Sequence, residues 1–151
     1  MIVQFIEGFF RANAARMAAA TASGALWEIW LQVEFALAMQ QNNISFAREV
    51  PYGDGTKRTV DFIVRPPQQE PFYAIEFKIE SPTNAGKAIA ARLLTDVEKL
   101  KNYAHGPLAG KFAIAVAYSA EGHKALTEAA AANKGQYAQI SPAIGVALVP
   151  V

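Results

Sequence analysis

Arg58 to Ile79 reads RTVDFIVRPPQQEPFYAIEFKI, and its two alternating runs on either side of a proline-rich loop decide the fold. Side chains alternate along a strand, so in the run Arg58 to Arg65 the residues Val60, Phe62 and Val64 share one face while Thr59, Asp61, Ile63 and Arg65 share the other. In the run Phe72 to Ile79, Tyr73, Ile75, Phe77 and Ile79 form an apolar face opposite Phe72, Ala74, Glu76 and Lys78. Symmetric closure of the loop Pro66 to Pro71 pairs Arg65 with Phe72. The same register sets Val60 against Phe77, Phe62 against Ile75 and Val64 against Tyr73, and it puts Asp61 directly opposite Glu76.

Working outward, Ile44 to Val50 is an earlier strand, separated from the hairpin by the turn chemistry of Pro51-Tyr52-Gly53-Asp54-Gly55. Before it lie two helices, about residues 3 to 21 and 25 to 41, broken at Ser23-Gly24. In the second, Leu26, Trp30, Val33 and Leu37 fall within about 40° of one line at roughly 100° per residue and are the expected buried stripe. After the hairpin come a helix (about Gly86 to Tyr103, stopped by His105-Gly106-Pro107), a buried strand (Lys111 to Tyr118), a helix (about Glu121 to Asn133) and a strand (about Ile144 to Val149). The order ααβββαβαβ implies an α/β domain with a central mixed sheet flanked by helices.

The 151 residues suit one domain, 1 to 151, that buries roughly 70% of its unfolded surface. Of the 52% hydrophobic residues thirty are alanine, which adds helix propensity more than core volume. With no cysteine, disulfide scaffolds, thiolate zinc sites and cysteine nucleophiles are excluded. A net charge of +1 excludes binding by bulk charge. Glu7, Arg11 and Arg16 interrupt the apolar N-terminus, and its longest uncharged run, Met17 to Trp27, is far short of the roughly 20 residues of a membrane span. The expected setting is cytoplasmic with no membrane contact, and toxin cargo without a cleavable signal fits the same N-terminus.

Two carboxylates opposite one another, with side chains about 5 Å apart, repel. A divalent cation between Asp61 and Glu76 converts that repulsion into binding, and oxygen ligands suit Mg²⁺, Mn²⁺ or Ca²⁺. Lys78, on the same face, reaches a phosphate or a metal-bound water. Together they make a site for phosphodiester hydrolysis.

Val60-Asp61 followed by Glu76-Phe77-Lys78 resembles the Asp…Glu-x-Lys core of the PD-(D/E)XK nuclease superfamily, and residues 25 to 120 resemble its restriction-endonuclease-like core. Val60 stands where the name-giving proline often lies. The resemblance implies a divalent-metal-dependent nuclease acting on DNA; with no separate sequence-reading domain visible in 151 residues, the expected setting is a structure-specific nuclease, a toxin domain or the catalytic subunit of a mobile-element or defence complex. Asp61 and Glu76 then bind Mg²⁺ or Mn²⁺, and Lys78 orients the attacking water. It also implies a carboxylate on the helix before the first strand, for which Glu34 and Glu28 compete. Glu34, about 80° from the centre of the expected stripe, is preferred to Glu28 at about 200°. The alternative is an inactive nuclease-fold binding protein, such as an immunity factor or accessory subunit. If Phe5, Phe9 and Phe10 face outward, the N-terminal helix is an appendage that offers a homodimer or partner interface.

The remaining polar residues carry weaker signals. Lys87, Arg92, Asp96, Glu98, Lys99 and Lys101 on the third helix read as a solvated face or as phosphate contacts. Arg48, Glu49 and Tyr52 either brace the sheet or border a cleft; Lys57 and Arg58 sit at its edge or simply solubilise a turn. His105 and His123 are too far apart to suggest a metal motif, and Ser119 and Ser141 lack a nucleophile-elbow context. No glycine pattern for nucleotides is present. Trp27, Trp30 and Phe35 read as core or interface before a base-stacking platform. Residues 45 to 101 hold nine Lys+Arg and eight Asp+Glu, or nine against six without Asp61 and Glu76, so a metal-centred nucleic-acid cleft is compatible with near-neutrality.

Overall fold

The computed structural model of the chain describes residues 2–24, 27–66, 72–106 and 108–151. It contains four helices, α1 (Ile2–Ala22), α2 (Glu28–Gln41), α3 (Lys87–Lys101) and α4 (Ala120–Ala132). Six strands, β1 (Ser45–Pro51), β2 (Thr59–Arg65), β3 (Phe72–Ile79), β4 (Leu108–Ala117), β5 (Gln136–Gln139) and β6 (Gly145–Pro150), form one sheet in the order β1-β2-β3-β4-β6-β5. Of the neighbouring pairs only β3 and β4 run parallel, and the connection between them crosses over through a helix, α3; the other neighbouring pairs are antiparallel. The mixed α/β sheet is as expected. Its last hairpin adds β5, a strand that the order ααβββαβαβ omits: Gln136-Tyr137-Ala138-Gln139 is too short and too polar to stand out by alternation.

Helices cover both faces of the sheet, so a strand such as β3 is buried on both sides. On one face α1 and α2 pack against Phe62, Ile75, Phe77, Ile114 and Leu148. Phe35 is the hub here, with ring centroids 5.0 Å from both Phe9 and Phe77 and 5.4 Å from Phe62. Such tilted and edge-on pairs contribute about 0.5–1.5 kcal/mol each beyond their burial. On the other face Ala74, Ala113, Ala115, Ala117 and Ala147 present a shallow surface on which α3 and α4 lie, through Ile89, Leu93, Leu100 and Leu126. The alanines thus form a core of their own, one that depends on small side chains.

Two expectations about the first face change. The buried stripe of α2 is Trp27, Leu31, Phe35 and Met39, whereas Val33 and Leu37 are 40% and 45% exposed and Trp30 is half-buried. Leu26 lies outside the described residues. The helix is apolar on two sides, and the side with the bulkier Phe35 and Met39 wins, a rotation of about 150° at 100° per residue. In α1, Phe9 and Phe10 are buried and Phe5 packs against the same core, 5.6 Å from Phe35. The N-terminal helix therefore turns Phe9 and Phe10 inward, with Phe5 partly buried against the same core, instead of presenting all three outward.

The register of the central hairpin holds where it is paired, with Phe62 against Ile75 and Val64 against Tyr73. It then stops. Val60 does not pair with Phe77; it packs with the alanine-lined core, while Phe77 belongs to the aromatic one. Past Phe62, β2 stays with β1 (Val50 against Val60) and leaves β3. Most of the loop that closes the hairpin, residues 67–71, lies outside the described residues.

Candidate functional site

A strand edge that loses its neighbour has backbone N–H groups to satisfy. Where β2 leaves β3, side-chain carboxylates do this. Asp61 Oδ2 accepts the Phe77 N–H at 2.7 Å, and the Ile79 N–H donates to the carboxylate of Glu28 at the start of α2. The notch between the strands is thus filled by acids, and Glu76 and Lys78 of β3 point into it.

Asp61 and Glu76 meet there, sharing a hydrogen bond between their carboxyl groups. Tyr52, just after β1, holds its hydroxyl 3.4 Å from Glu76 Oε1. Lys78 Nζ lies 3.5 Å from Asp96 Oδ2 and 3.9 Å from Glu28 Oε1. Asp96 projects from α3, and its other oxygen accepts from Lys99 Nζ at 2.8 Å. Two carboxylates, Asp96 and Glu28, therefore flank a partly buried lysine on which the charges of Asp61 and Glu76 also act, and Lys99 closes the cluster on the outer side.

The electrostatics follow from that crowding. Burial pushes Glu76 up to about 9, and the charges of Asp61 and Asp96 push the same way. Burial likewise raises Asp61, against the pull of the Phe77 N–H and Lys78. Glu28 is raised, again first by burial. Burial alone works against the charge on Lys78, but Asp96, Glu28, Asp61 and Glu76 together outweigh it and raise the group. At neutral pH the Asp61–Glu76 pair shares a proton, and Lys78 is an ammonium.

Asp61, Glu76 and Lys78 are thus brought together, and the helix carboxylate beside them is Glu28 rather than Glu34. Glu34 belongs to the other side of α2, where Arg16 holds both its oxygens at 2.7 and 2.8 Å. The cause is the rotation of α2: Glu28 falls about 40° from the centre of the true stripe, next to the sheet, and Glu34 about 80° on the far side. Among the described residues no three His, Cys, Asp or Glu side chains form a group able to hold a metal ion. The oxygen donors that face each other are two, Asp61 and Glu76.

Asp96 and Tyr52 are additions to the expected set. Asp96 carried a legible signal, since it falls among Ile89, Leu93, Val97 and Leu100 on the buried face of α3. An acid in that stripe needs a partner inside. The other candidates have structural partners. Arg48 bonds Gln32 of α2 at 2.8 Å and lies over Phe62, and Arg58 pairs with Asp54 and covers the Tyr52 ring. His105 fills the space beside Gly53 and Tyr103, His123 bonds Tyr137, and Ser119 caps α4. Lys87, Arg92, Glu98 and Lys101 form the solvated face of α3. Among the described residues no helix is long and apolar enough to cross a membrane. Compared with protein-family models, with curated proteins and with solved structures, the chain finds no match.

Proposed function

We propose that the chain is a small divalent-metal-dependent nuclease of the PD-(D/E)XK kind that hydrolyses DNA phosphodiesters. The observation that supports it most is the meeting of Asp61 with Glu76, beside Lys78, at the point where β2 parts from β3. The pair fits a hard dication by donor type: two carboxylates in contact hold one proton between them, and a cation can take that proton's place. Asp61 and Glu76 would be the residues that hold Mg²⁺ or Mn²⁺, with Glu28 as the nearby helix carboxylate. Such an ion supplies positive charge to the phosphoryl oxygens and a water of lowered pKa.

The protein's own share is electrostatic and positional. The Phe77 N–H fixes one oxygen of Asp61, and Tyr52 approaches one oxygen of Glu76, so the pair cannot rotate freely. Lys78, kept charged by its acidic neighbours, orients the attacking water and offsets charge on the phosphorane-like transition state. Incubated with Mg²⁺, the purified protein is expected to nick plasmid DNA, and Lys78→Ala to remove nicking in this assay, leaving only a residual rate readable in single turnover, without unfolding the chain. Unchanged cleavage by that variant removes the mechanism.

The two-donor count favours a second reading, an inactive nuclease fold that serves as a binding or accessory protein. Calorimetric titration with Mn²⁺ separates the two. Binding that disappears in Asp61→Asn and Glu76→Gln supports the enzyme, and no binding by the wild type supports the scaffold.

A further inference from the structure

Asp96 is the one acid in the cluster that neither the expected motif nor the notch between the strands explains. It is 1% exposed and lies on the apolar stripe of α3. A carboxylate buried for stability alone is expected to have its oxygens saturated by donors. Asp96 is only half saturated. Oδ1 accepts from Lys99, and Oδ2 has no hydrogen-bond partner in the protein, the sole such buried side-chain atom among the described residues. The cation that Oδ2 faces is Lys78, at 3.5 Å. Lys78 has a second anion at 3.9 Å, Glu28, which arrives from the helix on the opposite face of the sheet. The ammonium is thus bracketed from two sides, and the nearer, fully buried bracket is Asp96.

Resting on the nuclease reading, we propose that Asp96 is a positioning residue for Lys78, its free oxygen holding the ammonium beside the Asp61–Glu76 pair. Lys78 ends a long flexible chain, with much rotamer freedom to lose. Its two ion-pair partners among the described residues are Asp96 and Glu28, so neither Asp61 nor Glu76 is taken up in an ion pair with it. Lys99 anchors the far oxygen of Asp96 and so fixes the carboxylate that fixes the lysine. A misplacement of about 1 Å at a reacting centre can slow a reaction about 100-fold, which is why position and not mere presence is at stake.

The test measures single-turnover cleavage of a labelled duplex with Mg²⁺, alongside duplex binding in Ca²⁺ by anisotropy. Asp96→Asn is expected to slow cleavage about 100-fold while binding changes less than about threefold. Asp96→Glu, with its charge one methylene out of place, is expected to lie between the two. Added to Lys78→Ala, Asp96→Asn should slow cleavage no further, because both changes remove one unit of function. Wild-type rates in Asp96→Asn overturn the inference. So does full additivity with Lys78→Ala, and, should Asp96→Asn not fold, a wild-type rate in Asp96→Glu. A wild type that does not cleave defeats the nuclease reading alone. Positioning is then decided by the correlation spectrum of lysine ammonium nitrogens. A protected Lys78 signal, identified by its loss in Lys78→Met and lost again in Asp96→Asn, supports the inference, and a Lys78 signal unchanged in Asp96→Asn overturns it.

Discussion

Glu76 and Glu80 stand four residues apart at the end of one strand, both are buried, and their surroundings are opposite. Glu80 is 0% exposed and accepts from the backbone N–H groups of Gly86 (2.8 Å), Tyr118 (2.7 Å) and Ser119 (2.8 Å) and from the Ser119 hydroxyl. Gly86 and Ser119 are the N-caps of α3 and α4, so the carboxylate sits against the positive ends of two helices. Burial works to raise Glu80, but these donors outweigh it and hold the group below its ordinary value. Glu76 has one distant hydroxyl and a second carboxyl for company, and is pushed up to about 9. Burial, then, does not decide what a carboxylate does; the supply of donors does. Glu80 needs nothing from outside the chain, and Glu76 is a place where a cation fits.

Removing the saturated carboxylate is the harshest way to probe this contrast. Glu80→Ala leaves three N–H groups without their acceptor, that of Gly86 buried and those of Tyr118 and Ser119 part-buried, each costing about 1–3 kcal/mol where water cannot replace the carboxylate. The expected loss is on the order of 3–5 kcal/mol, or a melting temperature lower by about 10 °C or more, read by calorimetry. The wild-type contribution has a definite pH window. A carboxylate held below its unfolded value of 4.5 stabilises above that pH, and the contribution fades as pH falls through the folded value. A Glu80→Ala protein with wild-type stability at pH 7 contradicts the assignment.

Glu80 also marks a limit of the sequence. Nothing in Ile79-Glu80-Ser81 distinguishes it from Glu76, because its donors come from Gly86 and from Ser119, thirty-nine residues on in the chain. Those pairings exist only once β3, α3, β4 and α4 have assembled. The loop-proximal half of the hairpin was legible since alternation and register are local, down to Phe62 facing Ile75; the expected strand pairs beyond it, Asp61 with Glu76 and Val60 with Phe77, do not form, because there β2 leaves β3 and follows β1. The α2 face was not: a helix apolar on two sides has two candidate stripes, and only packing against Phe62 and Phe77 chooses between them. That one ambiguity carried the helix carboxylate with it, from Glu28 to Glu34. Gly122 is similarly silent in sequence, although a Cβ there would come within 2.6 Å of the Glu80 oxygens.

For the unsaturated carboxylate, an isosteric neutral change has the opposite sign. Glu76→Gln keeps a hydrogen-bonding group for Tyr52 and removes a buried charge that Asp61 and Asp96 oppose. We expect a gain of about 1–2 kcal/mol at pH 9, measured by urea unfolding, together with loss of cleavage. The sign follows from proton linkage: a folded-state value near 9 against 4.5 in the unfolded chain means the native state holds the extra proton between those limits. Wild-type stability from this group is therefore fully present below pH 4.5 and lost as pH rises through 9, the reverse of Glu80. Glu76→Gln flattens that slope. Saturating Mg²⁺ should raise the wild-type melting temperature at pH 8 and leave Glu76→Gln unmoved, because a ligand stabilises only the state that binds it. An equal Mg²⁺ response in both proteins breaks the contrast between the two glutamates.

The mildest comparison is between the two glutamates of α2. Glu34 is paired with Arg16, a half-exposed residue of α1, and such surface pairs contribute about 0.2–1 kcal/mol. Glu34→Ala is expected to shift the urea midpoint within that range and to leave cleavage at the wild-type rate. Glu28→Gln has a similarly small effect on stability, since a glutamine oxygen can still accept the Ile79 N–H, but it removes one of the two anions flanking Lys78. Its effect should appear in rate, about tenfold slower single-turnover cleavage, and not in folding. The pair thus asks whether proximity to Lys78 or a place on the helix before β1 defines the functional carboxylate. A rate loss in Glu34→Ala as large as that in Glu28→Gln would show that the rotation of α2 does not select between them, and that the cluster around Lys78 extends along the helix to Arg16.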